Sequence, residues 1–83
     1  SLFLDSQGRF TYLNNGALDI FGLQPKDLLG RCFFDFEARP SHFSNRRFLS
    51  MLRRHGEVKN YITHLLSADG SDRWVGINAR VSH

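Results

Sequence analysis

Two turn-centred stretches near opposite ends of the chain constrain its fold more than any other feature. Leu2-Phe3-Leu4 is stopped by Asp5-Ser6-Gln7-Gly8, and Arg9-Phe10-Thr11-Tyr12-Leu13 then alternates and is rich in aromatic and β-branched residues. Asp and Ser bond their own backbone and Gly tolerates positive φ, so this reads as a β-hairpin. Near the other end, Glu57 to Leu66 and Arg73 to Ser82 read as two longer strands joined by Ala68-Asp69-Gly70-Ser71, a second hairpin turn. On the last strand Val75, Ile77, Ala79 and Val81 point to one face, which is expected to be buried.

The residues between the hairpins have helical character. Asn14-Asn15 stops the second strand and can cap a short helix whose apolar face is Ala17, Leu18, Ile20 and Phe21, closed by Gly22. Pro25 suits the first turn of another short helix over Lys26–Leu29, closed by Gly30. Helices this short do not persist alone in water and need a sheet to rest on. Cys32-Phe33-Phe34-Asp35-Phe36 is a dense apolar segment with room for one further turn. Pro40-Ser41 opens the longest helix, which runs to about Arg54 and ends at Gly56. Phe48, Leu49, Met51 and Leu52 are expected on its core side, with Arg46, Arg47, Arg53 and Arg54 opposite. Hairpins around a helical insert predict an α+β fold, an antiparallel sheet with helices on one face.

Size and composition narrow the function classes. The chain has 83 residues, room for one domain, and 41% apolar residues including eight Phe, enough for a thin core. There is no repeat, low-complexity tract or internal linker. Cys32 is the only cysteine, so no disulfide framework is available and the chain reads as intracellular and cytoplasmic. Neither a signal peptide nor an apolar run long enough to span a bilayer is present, so no membrane contact is expected from this segment. The formal charge is +3, and nine of the eleven cations are Arg. Apart from the four on the long helix they are scattered, which predicts solvated faces and no nucleic acid. The helix quartet reads as a solvated face, its sharper alternative being an anion or partner-domain contact.

The ordered set Asp5-x-x-Gly8-x-Phe10-x-Tyr12-x-Asn14-x-x-Ala17-x-x-x-Phe21-Gly22, then Asp27-Leu28-Leu29-Gly30, resembles the N-terminal half of a PAS domain. Leu65-x-x-x-Asp69-Gly70-Ser71-x-Arg73-Trp74-Val75 resembles the hairpin near the C-terminal end of that family. The resemblance implies a five-stranded antiparallel sheet cradling short helices. Four strands are visible here, so the chain reads as a single domain, residues 1–83, lacking the final strand. It further implies a bacterial signalling protein whose downstream output domain is a cyclic-di-GMP enzyme (GGDEF or EAL type) or a histidine kinase of a two-component system.

A flavin photosensor of the LOV type needs its cysteine three residues after the glycine, in a Gly-x-Asn-Cys-Arg-Phe setting. Gly30-Arg31-Cys32-Phe33 places the thiol one residue early and lacks the Asn and the following Arg, so Cys32 reads as a small buried hydrophobe. A haem sensor needs an axial His on the long helix, yet His42 and His55 sit at its two ends and Asn45 lies nearer the ligand position. Haem and flavin are therefore not expected, and no other cofactor is indicated. One Cys and four dispersed His offer no zinc site. Nothing marks a catalytic set, and the domain is expected not to be an enzyme.

Two binding surfaces remain. A small-molecule pocket between sheet and helices would be lined by Phe33, Phe34, Phe36, Phe48, Met51, Leu52, Tyr61, Thr63 and Ile77. If Tyr61, Thr63 and Leu65 face the core, then Ile62, His64, Leu66 and Trp74 lie on the outer sheet face, an apolar patch suited to homodimerisation or docking. The expected function is a sensory or regulatory module that binds a small ligand or dimerises to control an output domain. The alternatives are a ligand-free interaction domain and, behind it, a small nucleic-acid binder.

Overall fold

The structure is a computed structural model that describes residues 1–83. Its elements are β1 (Leu2–Leu4), β2 (Phe10–Leu13), α1 (Asn15–Phe21), α2 (Pro25–Leu28), a 3-10 turn (Phe33–Phe36), α3 (His42–His55), β3 (Glu57–Leu66) and β4 (Asp72–Val81). The four strands form one sheet in the order β2-β1-β4-β3. No helix is long and apolar enough to cross a membrane.

Local chemistry sets the element boundaries. At the first turn Asp5 Oδ1 accepts from the backbone N–H groups of Gln7 and Arg9, at 2.8 and 2.9 Å. Gly8 follows at φ 82°, in the left-handed region that a side chain disfavours. A Cβ there would also meet Leu49 Cδ2 at 3.3 Å and Phe34 Cε2 at 3.4 Å, so the position calls for glycine twice over. Asn14 caps α1 by accepting from Ala17 N–H at 2.9 Å, and Ser41 caps α3 by accepting from Ser44 N–H at 3.3 Å. Helix α2 ends one residue sooner than the Gly30 signal suggests: Leu29 is its cap, and its N–H bonds the Pro25 carbonyl.

The core lies between the helices and one sheet face. Leu2 and Leu4 of β1, Phe10 and Leu13 of β2, Leu65 of β3, and Ile77 and Ala79 of β4 are buried there, with Phe21, Leu28, Phe33, Phe48 and Leu52 above them. Ties between segments hold the short helices in place. Ser67 Oγ donates to the Ile20 carbonyl at 2.6 Å, and Ala68 N–H donates to the Phe21 carbonyl at 3.0 Å, pinning the end of α1 to the β3–β4 turn. Arg53 Nε donates to the Ser6 carbonyl at 2.8 Å, pinning α3 to the first turn.

Two features depart from the sequence reading. The sheet is mixed: β1–β2 and β3–β4 are antiparallel, whereas β1 and β4 run parallel in the register Leu2↔Ala79, Phe3↔Arg80, Leu4↔Val81. In a fully antiparallel sheet, strands of like direction are second neighbours, so β1 and β4 have the relative sense of two strands flanking a third. Strand β3 is also broken by a bulge. Val58 pairs with Ala79 and Tyr61 with Ile77, with Lys59 and Asn60 between, and Asn60 sits at φ 53°. Tyr61 follows Val58 by three positions, an odd offset that puts both on one face only if the ladder gains a residue. Asn78 Oδ1 accepts from Asn60 N–H at 2.9 Å and satisfies the displaced donor.

Candidate functional site

The residues proposed to line a cradle are mostly brought together, and they fill it. Phe33 packs on Phe10, Phe34 and Phe48, with ring centroids 6.0, 5.5 and 5.6 Å apart. Phe36 closes on Phe10 and Phe21 at 5.9 and 5.5 Å, and Tyr61 on Phe48 at 4.6 Å. Leu52, Thr63 and Ile77 are buried among them. The space beside Ile77, under α1, is a cavity of 50 Å³, less than two waters' share of liquid volume at about 30 Å³ each.

Met51 departs from the expected lining and is 38% exposed. At about 100° per residue, Phe48 and Leu52 lie 40° apart at the centre of the buried face, and Met51 falls about 100° to one side of Leu52. Its side chain lies at the helix border, on the rim of a groove between α3 and β3.

A polar centre that the sequence did not indicate sits where the 3-10 turn, α3 and β3 meet. Glu37 leaves the 3-10 turn and forms an antiparallel bridge to Leu65, and Ala38 N–H donates to the His64 carbonyl at 2.8 Å. The buried Thr63 hydroxyl donates to Glu37 Oε2 at 3.2 Å, while Glu37 Oε1 and Asn45 Oδ1 are buried without partners. Burial pushes the Glu37 carboxyl above its ordinary range, and the contacts of Asn45 and Thr63 only partly oppose this. The Tyr61 phenol is likewise raised, first by burial and then by the Glu37 charge. Chemically this is a half-buried acceptor cluster that suits a hydroxyl or amine donor. A lone acidic residue in a predicted loop carries no sequence signal for such a cluster.

The outer sheet face has a different character. Trp74 is 69% exposed, Ile62 63% and Leu66 48%. His64 stacks flat on Trp74, centroids 4.6 Å apart and planes 7° from parallel, and its Nε2 pairs with Asp72. The stack follows from register, since His64 and Trp74 are directly opposed on β3 and β4. His64 is thus half-buried between Trp74 and Asp72 while the three apolar side chains face solvent. His42 and His55 lie exposed at the two ends of α3, and Cys32 is half-buried at the start of the 3-10 turn.

A family profile described as PAS domain matches residues 1–82. The chain belongs to the PAS domain family. PAS domains are regulatory rather than catalytic modules that bind ligands or dimerise. The fold is similar to that of Cycle PAS-B of Drosophila melanogaster solved with bound ethylene glycol: TM-score 0.70 at 17% identity, covering 86% of this chain and 70% of that one. A tryptophan-to-alanine variant of the same PAS domain, solved with bound glycerol, matches with the same values. No curated protein matches the chain.

Proposed function

We propose that this chain is the sensory or regulatory PAS module of a cytoplasmic, multidomain bacterial signalling protein, and that it homodimerises through its outer sheet face. The observation that carries the reading is the concentration of Trp74, Ile62 and Leu66 on one solvent-facing surface of β3 and β4. Exposed apolar clusters of this kind mark protein contacts. Rearrangement at that face would shift the population of two packings of the sheet and bias a downstream output domain, of GGDEF/EAL or histidine-kinase type by family resemblance. A fifth strand between β1 and β4, antiparallel to both, would convert the mixed sheet to a fully antiparallel one and complete the domain.

Sedimentation of the chain over a wide concentration range tests this. A dimeric parent and a monomeric Trp74→Ala, with unchanged circular dichroism, support the reading. A dimer that persists in Trp74→Ala sinks it.

A second reading, a small polar ligand taken up at the polar centre where the 3-10 turn, α3 and β3 meet, is favoured by the unpartnered Glu37 Oε1 and Asn45 Oδ1. The donor-rich polyols held by Cycle PAS-B suggest the probe. Titrating glycerol while following the amide resonances of Glu37, Asn45 and Thr63 by NMR tests it. Saturable shifts confined to that cluster support it, and shifts scattered over the surface count against it.

A further inference from the structure

We infer that the outer face of α3 is a docking site for an acidic segment of a partner protein that carries a bulky apolar residue. The helix His42–His55 contains four Arg and no Asp or Glu. Arg53 is committed to the Ser6 carbonyl. Arg46, Arg47 and Arg54 are exposed and form no ion pair or side-chain hydrogen bond within the chain. Three unpaired guanidinium groups leave a local positive surface, to which carboxylates are complementary.

The same face is not purely polar. Phe43 is 76% exposed, the most exposed large apolar side chain in the molecule, and Met51 lies on its side of the helix. At about 100° per residue, Phe43, Arg47, Met51 and Arg54 fall within about 80° of one another. Phe43 and Met51 are eight residues apart, so at about 1.5 Å per residue they stand about 12 Å apart along the axis. Arg47 lies between them and Arg54 just beyond. Cations thus alternate with apolar anchors along one stripe, which flanks the face that buries Phe48 and Leu52 and meets it at Met51.

The surface around this stripe is concave. Phe43, Arg46, Arg47, Met51 and Arg54 border a hollow of 520 Å³. Phe43, Arg47 and Met51 also border a groove of 370 Å³ that continues between α3 and β3 to Phe48, Tyr61 and Ile62. Strand β3 is at the edge of the sheet, so no further strand covers the groove on that side. A partner's apolar side chain fits the groove while flanking carboxylates meet the Arg residues. Free carboxylates alone would leave Phe43 unused, and an apolar segment alone would leave the cations unpaired.

The test is fluorescence anisotropy of the 83-residue chain with a labelled peptide, Glu-Glu-Ser-Leu-Phe-Ser-Glu-Glu. Binding is expected at low salt and is expected to weaken at about 0.5 M salt, where the screening length falls to about 4–5 Å. Phe43→Ser is expected to weaken binding by roughly tenfold or more, as loss of an aromatic anchor does. The double variant Arg47→Glu, Arg54→Glu is expected to abolish it, and Trp74→Ala, whose side chain borders neither the hollow nor the groove, to leave it unchanged. All these side chains are exposed, so circular dichroism should match the parent. A peptide with Leu-Phe replaced by Ser-Ser should bind the parent as weakly as the original peptide binds Phe43→Ser. No binding at any attainable concentration, or binding indifferent to Phe43, overturns the inference. So does tighter, Phe43-dependent binding to phosphatidylserine vesicles or to a DNA duplex, which reassigns the face to a membrane or to nucleic acid. Self-association lost in Phe43→Ser overturns it in favour of a second copy of this chain.

Discussion

Thr63→Val probes the polar centre with little change of shape. Thr63 is buried on β3, and its hydroxyl donates to Glu37 Oε2 at 3.2 Å. Valine keeps the branched outline and the strand preference but removes the donor. A hydrogen bond to a charged group contributes about 1.5–3 kcal/mol. Glu37 is only half-buried, so solvent screens the pair and the expected cost sits below that range, about 1 kcal/mol at neutral pH. For a domain of this size that corresponds to a fall in Tm of about 4–8 °C. In urea, with a slope of about 1 kcal/mol/M, the midpoint should move by about 1 M.

The sign of the pH dependence follows from Glu37. Its carboxyl is raised in the folded state, first by burial, so folding favours the protonated form. That contribution is present at low pH and is lost as pH rises from the unfolded carboxyl's range through the folded one. Thr63→Val removes one of the contacts that favour the charged form, so its cost should be largest at neutral pH and shrink in acid. In a Glu37→Gln background the hydroxyl meets a neutral amide, and the cost should fall by roughly half. Urea titrations of the four proteins of this cycle, at neutral pH and in mild acid, make the measurement. Equal cost in both backgrounds and at both pH values would refute a charge-assisted bond at this site.

Three further outcomes follow from packing and backbone. Glu37→Gln alone should raise the thermal midpoint at neutral pH, because it removes a desolvated charge and offers an amide donor to the unpartnered Asn45 Oδ1; the gain should fade in acid, as calorimetry at two pH values will show. Leu52→Ala, at a fully buried position, should cost about 2–5 kcal/mol, whereas Met51→Ala should cost much less, and a chemical denaturation series separates them. Gly8→Ala should be worse than Gly30→Ala: both positions have positive φ, near 82° and 83°, but only at Gly8 does a Cβ crowd Leu49 and Phe34. The shared backbone term is about 1–2 kcal/mol, and the excess at Gly8 in the same assay measures the crowding.

How legible each part was depended on how locally it is determined. Asn14, Gly22, Ser41 and Gly56 bound their helices where the sequence placed those signals, because caps act within a single turn. Alternation on β3 put Thr63 and Leu65 inward and Ile62 and Leu66 outward, as observed, because that half of the strand is regular. Carried back toward Glu57, the same count turns Lys59 inward and Val58 outward. That conflict between charge and pattern was the available sign of the bulge at Asn60, and the structure resolves it by burying Val58. Met51 falls outside the expected lining because one apolar residue at the border of a helical stripe is not decided by periodicity. Glu37 and Asn45 belong to different segments, and their meeting depends on how α3 seats on β3, which no local pattern encodes.

The mixed sheet brings local and long-range order together. Each hairpin was legible because its strands are adjacent in sequence, joined by short turns. The pairing of β1 with β4 spans nearly the whole chain, and nothing in either strand sets its direction: Leu2 and Leu4 meet Ala79 and Val81 through backbone bonds open to parallel or antiparallel partners. What decides the matter is the core face. Leu2, Leu4, Ile77 and Ala79 must all point toward the helices, and the two hairpins can lie side by side under α1 and α3 with that face shared. The parallel pair is therefore the consequence of two locally determined hairpins brought under one set of helices. A strand inserted at that seam would leave both hairpins, the polar centre and the Trp74 face as they are, because each of those rests on contacts made within one hairpin or between a hairpin and the helices.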